Sequence, residues 1–179
     1  MPTAECRKVY PNAAIPKGGE FGGTRNHRGL DHSRTLIVLL LRSVTFKPWA
    51  EGKITAIRRS DEGIYGRYIE VKDSEGVHWS YCHAASINND LRVGDRVFFW
   101  TKLGVIGSTG TAIPSWLKGG SKHLHTMCSD QAGAAVDGTA EVFDPKPHIA
   151  ARIRTKTVKP DAPTATRHEA IILRKKKLS

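Results

Sequence analysis

From Lys53 onward, apolar and polar positions alternate along the chain with a period of two. Lys53 to Arg58 (KITAIR) and Tyr68 to Lys72 (YIEVK) each turn apolar side chains to one face and polar ones to the other, as half-buried strands do. Asp73-Ser74-Glu75-Gly76 is a turn leading into Val77 to Cys82 (VHWSYC), so these runs predict a hairpin with His83 at its far end. Val93-Gly94-Asp95 then turns the chain into a strand over Arg96 to Thr101 (RVFFWT), and Gly119-Gly120 delivers it to another around His123. Leu36 to Leu41 is a continuous apolar run whose length suits a buried strand and a helical turn equally. Residues 1 to 20, with Pro2, Pro11, Pro16 and Gly18-Gly19, predict an irregular segment. The fold class expected is mainly β, an antiparallel twisted sheet or flattened sandwich.

Two histidines fall on the strand that runs from Ser121 to Ser129 (SKHLHTMCS). His123 and His125 are two apart, so in an extended strand both imidazoles share one face while Leu124 takes the other. Such a pair offers a metal ligand beside a neutral base. Upstream, Asn26 to His32 (NHRGLDH) sets His27 and Asp31 four apart, with Gly29 between them to let the backbone bend. Imidazole and carboxylate are both ordinary zinc ligands, and three protein ligands leave one position for a reactive water. His83 closes the run W-S-Y-C-H. His32, His78, His148 and His168 match no such pattern.

The ordered trio H-x-x-x-D, Y-x-H and H-x-H resembles the lysostaphin-type zinc endopeptidases, the peptidoglycan-cutting family that includes the beta-lytic metalloproteases. Further motifs carry the likeness: Phe21-Gly22 and Arg25 before the first ligand, and Gly66 to Ser86 around Y-x-H. Val93-Gly94-Asp95, Leu103 to Gly110 (LGVIGSTG) and Asp144-Pro145-Lys146-Pro147 extend it over roughly residues 18 to 150. The chain departs from the family pattern in a longer connection after Asp31, in Trp100 where a turn glycine is common, and in Thr126-Met127-Cys128 after H-L-H.

The resemblance implies a duplicated hybrid-motif type of fold with an open zinc groove. His27, Asp31 and His125 would hold Zn2+. His123 would act as general base or orient the water, and His83 would donate to the developing oxyanion or the leaving amine, with the division of protons left open. Tyr81, Trp79 and Trp116 are candidates to line the substrate groove, Tyr81 because strand alternation puts it on the face of His83. The implied substrate is the peptide part of bacterial peptidoglycan.

Charge adds a boundary to this picture. From Arg152 to the end there are nine Lys or Arg against two acids, so that segment carries +7 of the net +11. The organisation expected is an irregular segment at 1–20, a peptidase domain at 21–150, and a flexible basic tail at 151–179. That tail is expected to attract anionic wall polymers or a membrane surface. Nucleic acid is disfavoured as a partner, because the excess charge lies in the tail and the domain carries no nucleic-acid motif. Gly104 to Gly110 lacks the G-K-[ST] ending of a phosphate loop and is expected to pack beside the groove.

Three cysteines without a C-x-x-C pair argue against a disulfide framework, and Cys128 is expected to face away from the histidines. The sequence shows no apolar run long enough to span a membrane and no signal-peptide pattern at its start. A wall-cutting enzyme of this kind fits a bacteriophage endolysin made in the cytoplasm and released with the help of a holin, or a lytic module on a virion. The alternative from another class is a non-catalytic wall-binding module on the same fold.

Overall fold

The computed structural model describes residues 19–22, 27–32, 43–111, 122–135 and 140–154. The run Leu36 to Leu41, Arg25, Trp116 and the chain beyond 154 lie outside these.

Among the described residues, nine strands form two antiparallel sheets. They are β1 (Leu30–His32), β2 (Thr45–Phe46), β3 (Gly52–Arg58), β4 (Tyr68–Asp73), β5 (His78–Cys82), β6 (Ser86–Ile87), β7 (Arg96–Val97), β8 (Gly104–Val105) and β9 (Leu124–Ser129). The large sheet has the order β1-β9-β5-β4-β3-β7 and the small one β2-β8-β6. The expected hairpin is β4 and β5, in register from Ile69 opposite Tyr81 to Lys72 opposite His78. Its turn is held by Asp73, whose carboxylate accepts the backbone N–H groups of Glu75 and Val77 and the indole N–H of Trp79.

The core fills the space between the sheets, as the alternation requires. Ile54, Ile69, Val71, Trp79, Tyr81, Leu124 and Leu30 from the large sheet meet Phe46, Ile87, Leu103 and Ile106 from the small one. The opposite face of the large sheet is arranged in three cross-strand rows. His125, Cys82 and Tyr68 make the first, Met127, Ser80 and Glu70 the second, and Ser129, His78, Lys72, Lys53 and Arg96 the third. Over the middle row lies the segment after β9. Its Gly133 N–H donates to the buried Glu70 carboxylate, which also accepts from Thr55 Oγ1, Ser80 Oγ and His78 Nδ1.

One expectation requires correction. The strand over Arg96 to Thr101 ends at Val97, because Phe98 N–H donates to Thr101 Oγ1 and Thr101 N–H to the Phe98 carbonyl, closing a turn that leaves Trp100 54% exposed. The D-P-K-P motif opens a helix, α1 (Pro145–Arg154). Asp144 Oδ1 caps it by accepting Lys146 N–H, and Pro145 occupies the first turn, where a missing N–H costs nothing. No helix among the described residues is long and apolar enough to cross a membrane.

Candidate active site

The first row of the open face begins at β1. Asp31 sits directly opposite His125 in the β1–β9 pairing, so the ladder itself brings the carboxylate to the imidazole. Asp31 Oδ1 lies 2.8 Å from His125 Nδ1, 3.3 Å from His27 Nε2 and 3.7 Å from His123 Nε2. The His27 segment is folded onto the site by backbone bonds from Gly22 N–H to the His27 carbonyl and from Asp31 N–H to the Gly19 carbonyl. The His27 Nδ1 stands 3.2 Å from the Glu20 carbonyl, which as an acceptor keeps the proton on Nδ1 and turns Nε2 inward as a lone pair. Arg28 donates to the Ala140 carbonyl and Lys146 pairs with Glu20, tying this segment to the chain around α1.

Gly29 serves the site differently from the bend expected. Its backbone is not left-handed; instead a Cβ there would meet the Thr126 carbonyl oxygen at 2.6 Å and the His125 ring atoms Cε1 and Nε2 at 2.7 Å. Glycine is present because the β9 backbone and the His125 ring pass too close for any side chain.

His83 reaches the same space through a distorted strand end. Strict alternation after β5 would turn it toward Tyr81 and the core. Its φ of 61° instead places it in the left-handed region, which is costly for a residue with a Cβ. The ring thereby joins the open face, with centroids 5.0 Å from His123 and 5.5 Å from His125. Thr109 holds it there: the His83 Nδ1 lies 2.7 Å from the Thr109 carbonyl, while Thr109 Oγ1 accepts Arg67 N–H and donates to the Ala84 carbonyl. Thr109 is carried by the glycine-rich loop, which packs beside the histidines as expected. Gly66 and Gly110, both left-handed, stack so closely that a Cβ on Gly66 would lie 2.5 Å from Gly110 N.

The same kink corrects the groove expectation. Tyr81 is fully buried between the sheets, stacks on Phe46, and accepts the Trp49 backbone N–H through its hydroxyl, so it faces no groove. Trp79 is likewise core. Among the described residues, the aromatic at the site is Tyr65, missed in the sequence, whose ring stacks at 5.6 Å on His125 and whose carbonyl accepts His83 N–H. Only its position at the mouth of the hairpin, just before Gly66, hinted at it. Cys128 faces the core as expected, and both it and Cys82 are buried free thiols.

The electrostatics are those of a buried carboxylate among imidazoles. Burial alone would raise the Asp31 pKa, yet the contacts of its carboxylate with His125 and His27 and the electrostatic pull of His123 and His125 hold it well below the carboxylate range. Burial pushes His83 down to about 3, reinforced by its two histidine neighbours and opposed by the Thr109 bond. Burial also lowers His125, against the pull of Asp31.

The donor atoms of His27, Asp31 and His125 all lie within 4.8 Å of one another. Ligands at ~2.0–2.1 Å around a tetrahedral ion sit about 3.3 Å apart, the separation of His27 Nε2 from Asp31 Oδ1, while His125 Nδ1 stands 2.8 Å from the same oxygen. Two imidazoles and one carboxylate are also a borderline donor set that suits zinc. The residues therefore fit the metal their order suggested.

Comparison with solved structures places this arrangement in a known fold. The chain is similar to the antimicrobial peptidase lysostaphin from Staphylococcus simulans, at 22% identity over 90% of this chain and 57% of that one, with a TM-score of 0.57. It is similar to the catalytic domain of the same peptidase at 25% identity over 72% and 84% of the two chains, with a TM-score of 0.52. LytU matches at 24% identity over 78% and 85%, with a TM-score of 0.53. The match thus spans little more than half of full-length lysostaphin. No family model matches the chain, and no curated protein matches its sequence. The fold is that of the lysostaphin-type peptidases, and the resemblance read from the motifs extends to three dimensions.

Proposed function

We propose that this chain is a zinc-dependent endopeptidase that hydrolyses peptide cross-links or stem peptides of bacterial peptidoglycan. The observation that carries the reading is the convergence of His27, Asp31 and His125 beside two further imidazoles, His83 and His123, on a lysostaphin-type fold. Zinc held by the three donors would acidify a water from a pKa of ~15.7 toward ~7 and polarise the scissile carbonyl.

The chain's own groups divide the rest of the work. The Thr109 carbonyl only accepts, so the proton of neutral His83 stays on Nδ1 and Nε2 presents a lone pair. His83 is therefore suited to accept a hydrogen bond from the attacking water and orient it, rather than to donate to an oxyanion. His123 is more accessible, at 17% side-chain exposure, and lies 3.7 Å from Asp31, which supports it as the group that takes a proton from the water. It returns that proton to the leaving nitrogen as the C–N bond breaks, so that one water is consumed and a new amine and carboxylate form.

Mass spectrometry of fragments released from purified peptidoglycans, with and without a zinc chelator, tests this directly. Chelator-sensitive appearance of new amino termini is the expected result; no release from any wall by zinc-loaded protein would favour the non-catalytic binding module. His125→Ala should lose zinc and activity together. His83→Ala should keep zinc and lose turnover, and a fully active His83→Ala would refute its role.

A further inference from the structure

The third row of the open face carries a feature that the peptidase reading does not use. Lys72 on β4, Lys53 on β3 and Arg96 on β7 are direct cross-strand partners, so their side chains leave the same face of three adjacent strands. All three are exposed, and among the described residues no carboxylate lies within ion-pair distance of any of them. Neighbouring strands are about 4.8 Å apart, so the row sets three like charges over about 10 Å. Like charges directly opposite one another destabilise a sheet.

These cations border a concavity of about 460 Å³ whose other lining residues are Glu51, Gly52, Asp73, Ser74 and Gly94. No aromatic ring lines it, although the Arg96 guanidinium lies over the Phe98 ring, 5.8 Å from its centroid, at the border. Glu51 offers carboxylate oxygens and Ser74 a hydroxyl, groups that pair with alcohols. Asp73 keeps its charge but is only 7% exposed, its oxygens taken by two backbone N–H groups and an indole N–H, so three exposed cations stand against Glu51 and this buried carboxylate. The row lies about 13 Å from the row of His125 along the strands, and its cations stand two to four strands across the sheet from β9. The segment anchored on Glu70 intervenes.

We propose that this concavity binds a linear polyol-phosphate or sugar-phosphate polymer. Successive phosphates meet the row of Lys72, Lys53 and Arg96, while the hydroxyls between them meet Glu51 and Ser74. The binding is separate from the metal centre and places an anion site on the folded domain itself, in addition to any attraction by the basic tail.

The test is a titration of the full-length, isotope-labelled protein, followed through its backbone amide signals at about 0.1 M ionic strength. The probes are a poly(glycerol phosphate) oligomer, an oligo-thymidine and a polyglutamate of matched charge. The expected result is a saturable shift of the Gly52, Lys53, Ser74 and Gly94 signals with the glycerol phosphate oligomer. Affinity should fall at least ~10-fold in the triple variant Lys53→Gln, Lys72→Gln, Arg96→Gln. Since the replacements remove repulsion between exposed groups, that variant should melt no lower than the parent. Shifts confined to other residues, an unchanged affinity in the triple variant, or equal binding of oligo-thymidine or polyglutamate at these amides would each overturn the proposal.

Discussion

Replacing Gly29 by alanine puts one methyl group where the structure leaves no room. The added carbon would sit 2.6 Å from the Thr126 carbonyl oxygen and 2.7 Å from two ring atoms of His125, and the first of these is backbone in the middle of β9. Contact at those distances forces β1 or the His125 ring to move. Overpacking of this kind costs about 1–3 kcal/mol, which for a chain of this length lowers Tm by about 3–9 °C. Because Gly29 lies between two candidate ligands and against the third, the displacement should also weaken zinc binding by ~10–100-fold. Differential scanning calorimetry of the metal-free protein measures the first effect, and competition with a chromophoric chelator the second. The sign decides the matter. A glycine that merely relieved backbone strain-free flexibility would, when changed to alanine, stabilise the fold by ~0.4–1 kcal/mol through the unfolded chain. A raised Tm with unaltered zinc affinity would refute the close-approach argument.

Two further predictions concern groups buried in the same sheet. His32 and His83 are held neutral by burial, at about 4 and about 3, so the unfolded chain binds more protons as pH falls below ~6.5. Their stabilisation is complete above that pH and declines toward those folded-state values, by up to ~1.4 kcal/mol per pH unit for each. Asp31, with its pKa depressed, adds its loss only below ~3.9. Denaturant melts of metal-free protein from pH 7 to 5 should show this decline, and a flat profile would contradict it. Glu70→Gln, which weakens an acceptor for Thr55, His78, Ser80 and Gly133, should cost about 2–4 kcal/mol. It should also speed hydrogen exchange at the Gly133 amide while leaving zinc affinity within about twofold; unchanged exchange there would mean that Glu70 does not anchor the segment.

What the sequence reveals of this site depends on how local each cause is. Period-two alternation locates β3, β4, β5 and β9 and the shared face of His123 and His125, because side-chain direction in a strand is set by the backbone alone. It fails at His83, where a single left-handed residue reverses the parity and exchanges Tyr81 for Tyr65 as the aromatic neighbour of the histidines. It also fails at Thr109, whose hold on His83 comes from the packing of Gly66 against Gly110, far apart in the chain. The helix at Pro145 had a local signature, an aspartate followed by proline, that reading D-P-K-P only as a family motif left unused. The row of Lys72, Lys53 and Arg96 is invisible until the register of three strands is known, since each residue alone is an ordinary exposed cation.

The pairing of Asp31 with His125 joins positions 94 residues apart. Closing a loop of that length costs an unfolded chain about 4 kcal/mol in entropy. β1 is only three residues long and touches the large sheet through β9 alone, so it has little of its own with which to meet that cost before β9 has docked on β5. On this topology the candidate centre should come together only after β9 has docked, and until then the chain carries its histidines and its carboxylate as separate side chains. The proposed peptidase activity would in this way stay latent until synthesis and folding have run past residue 129.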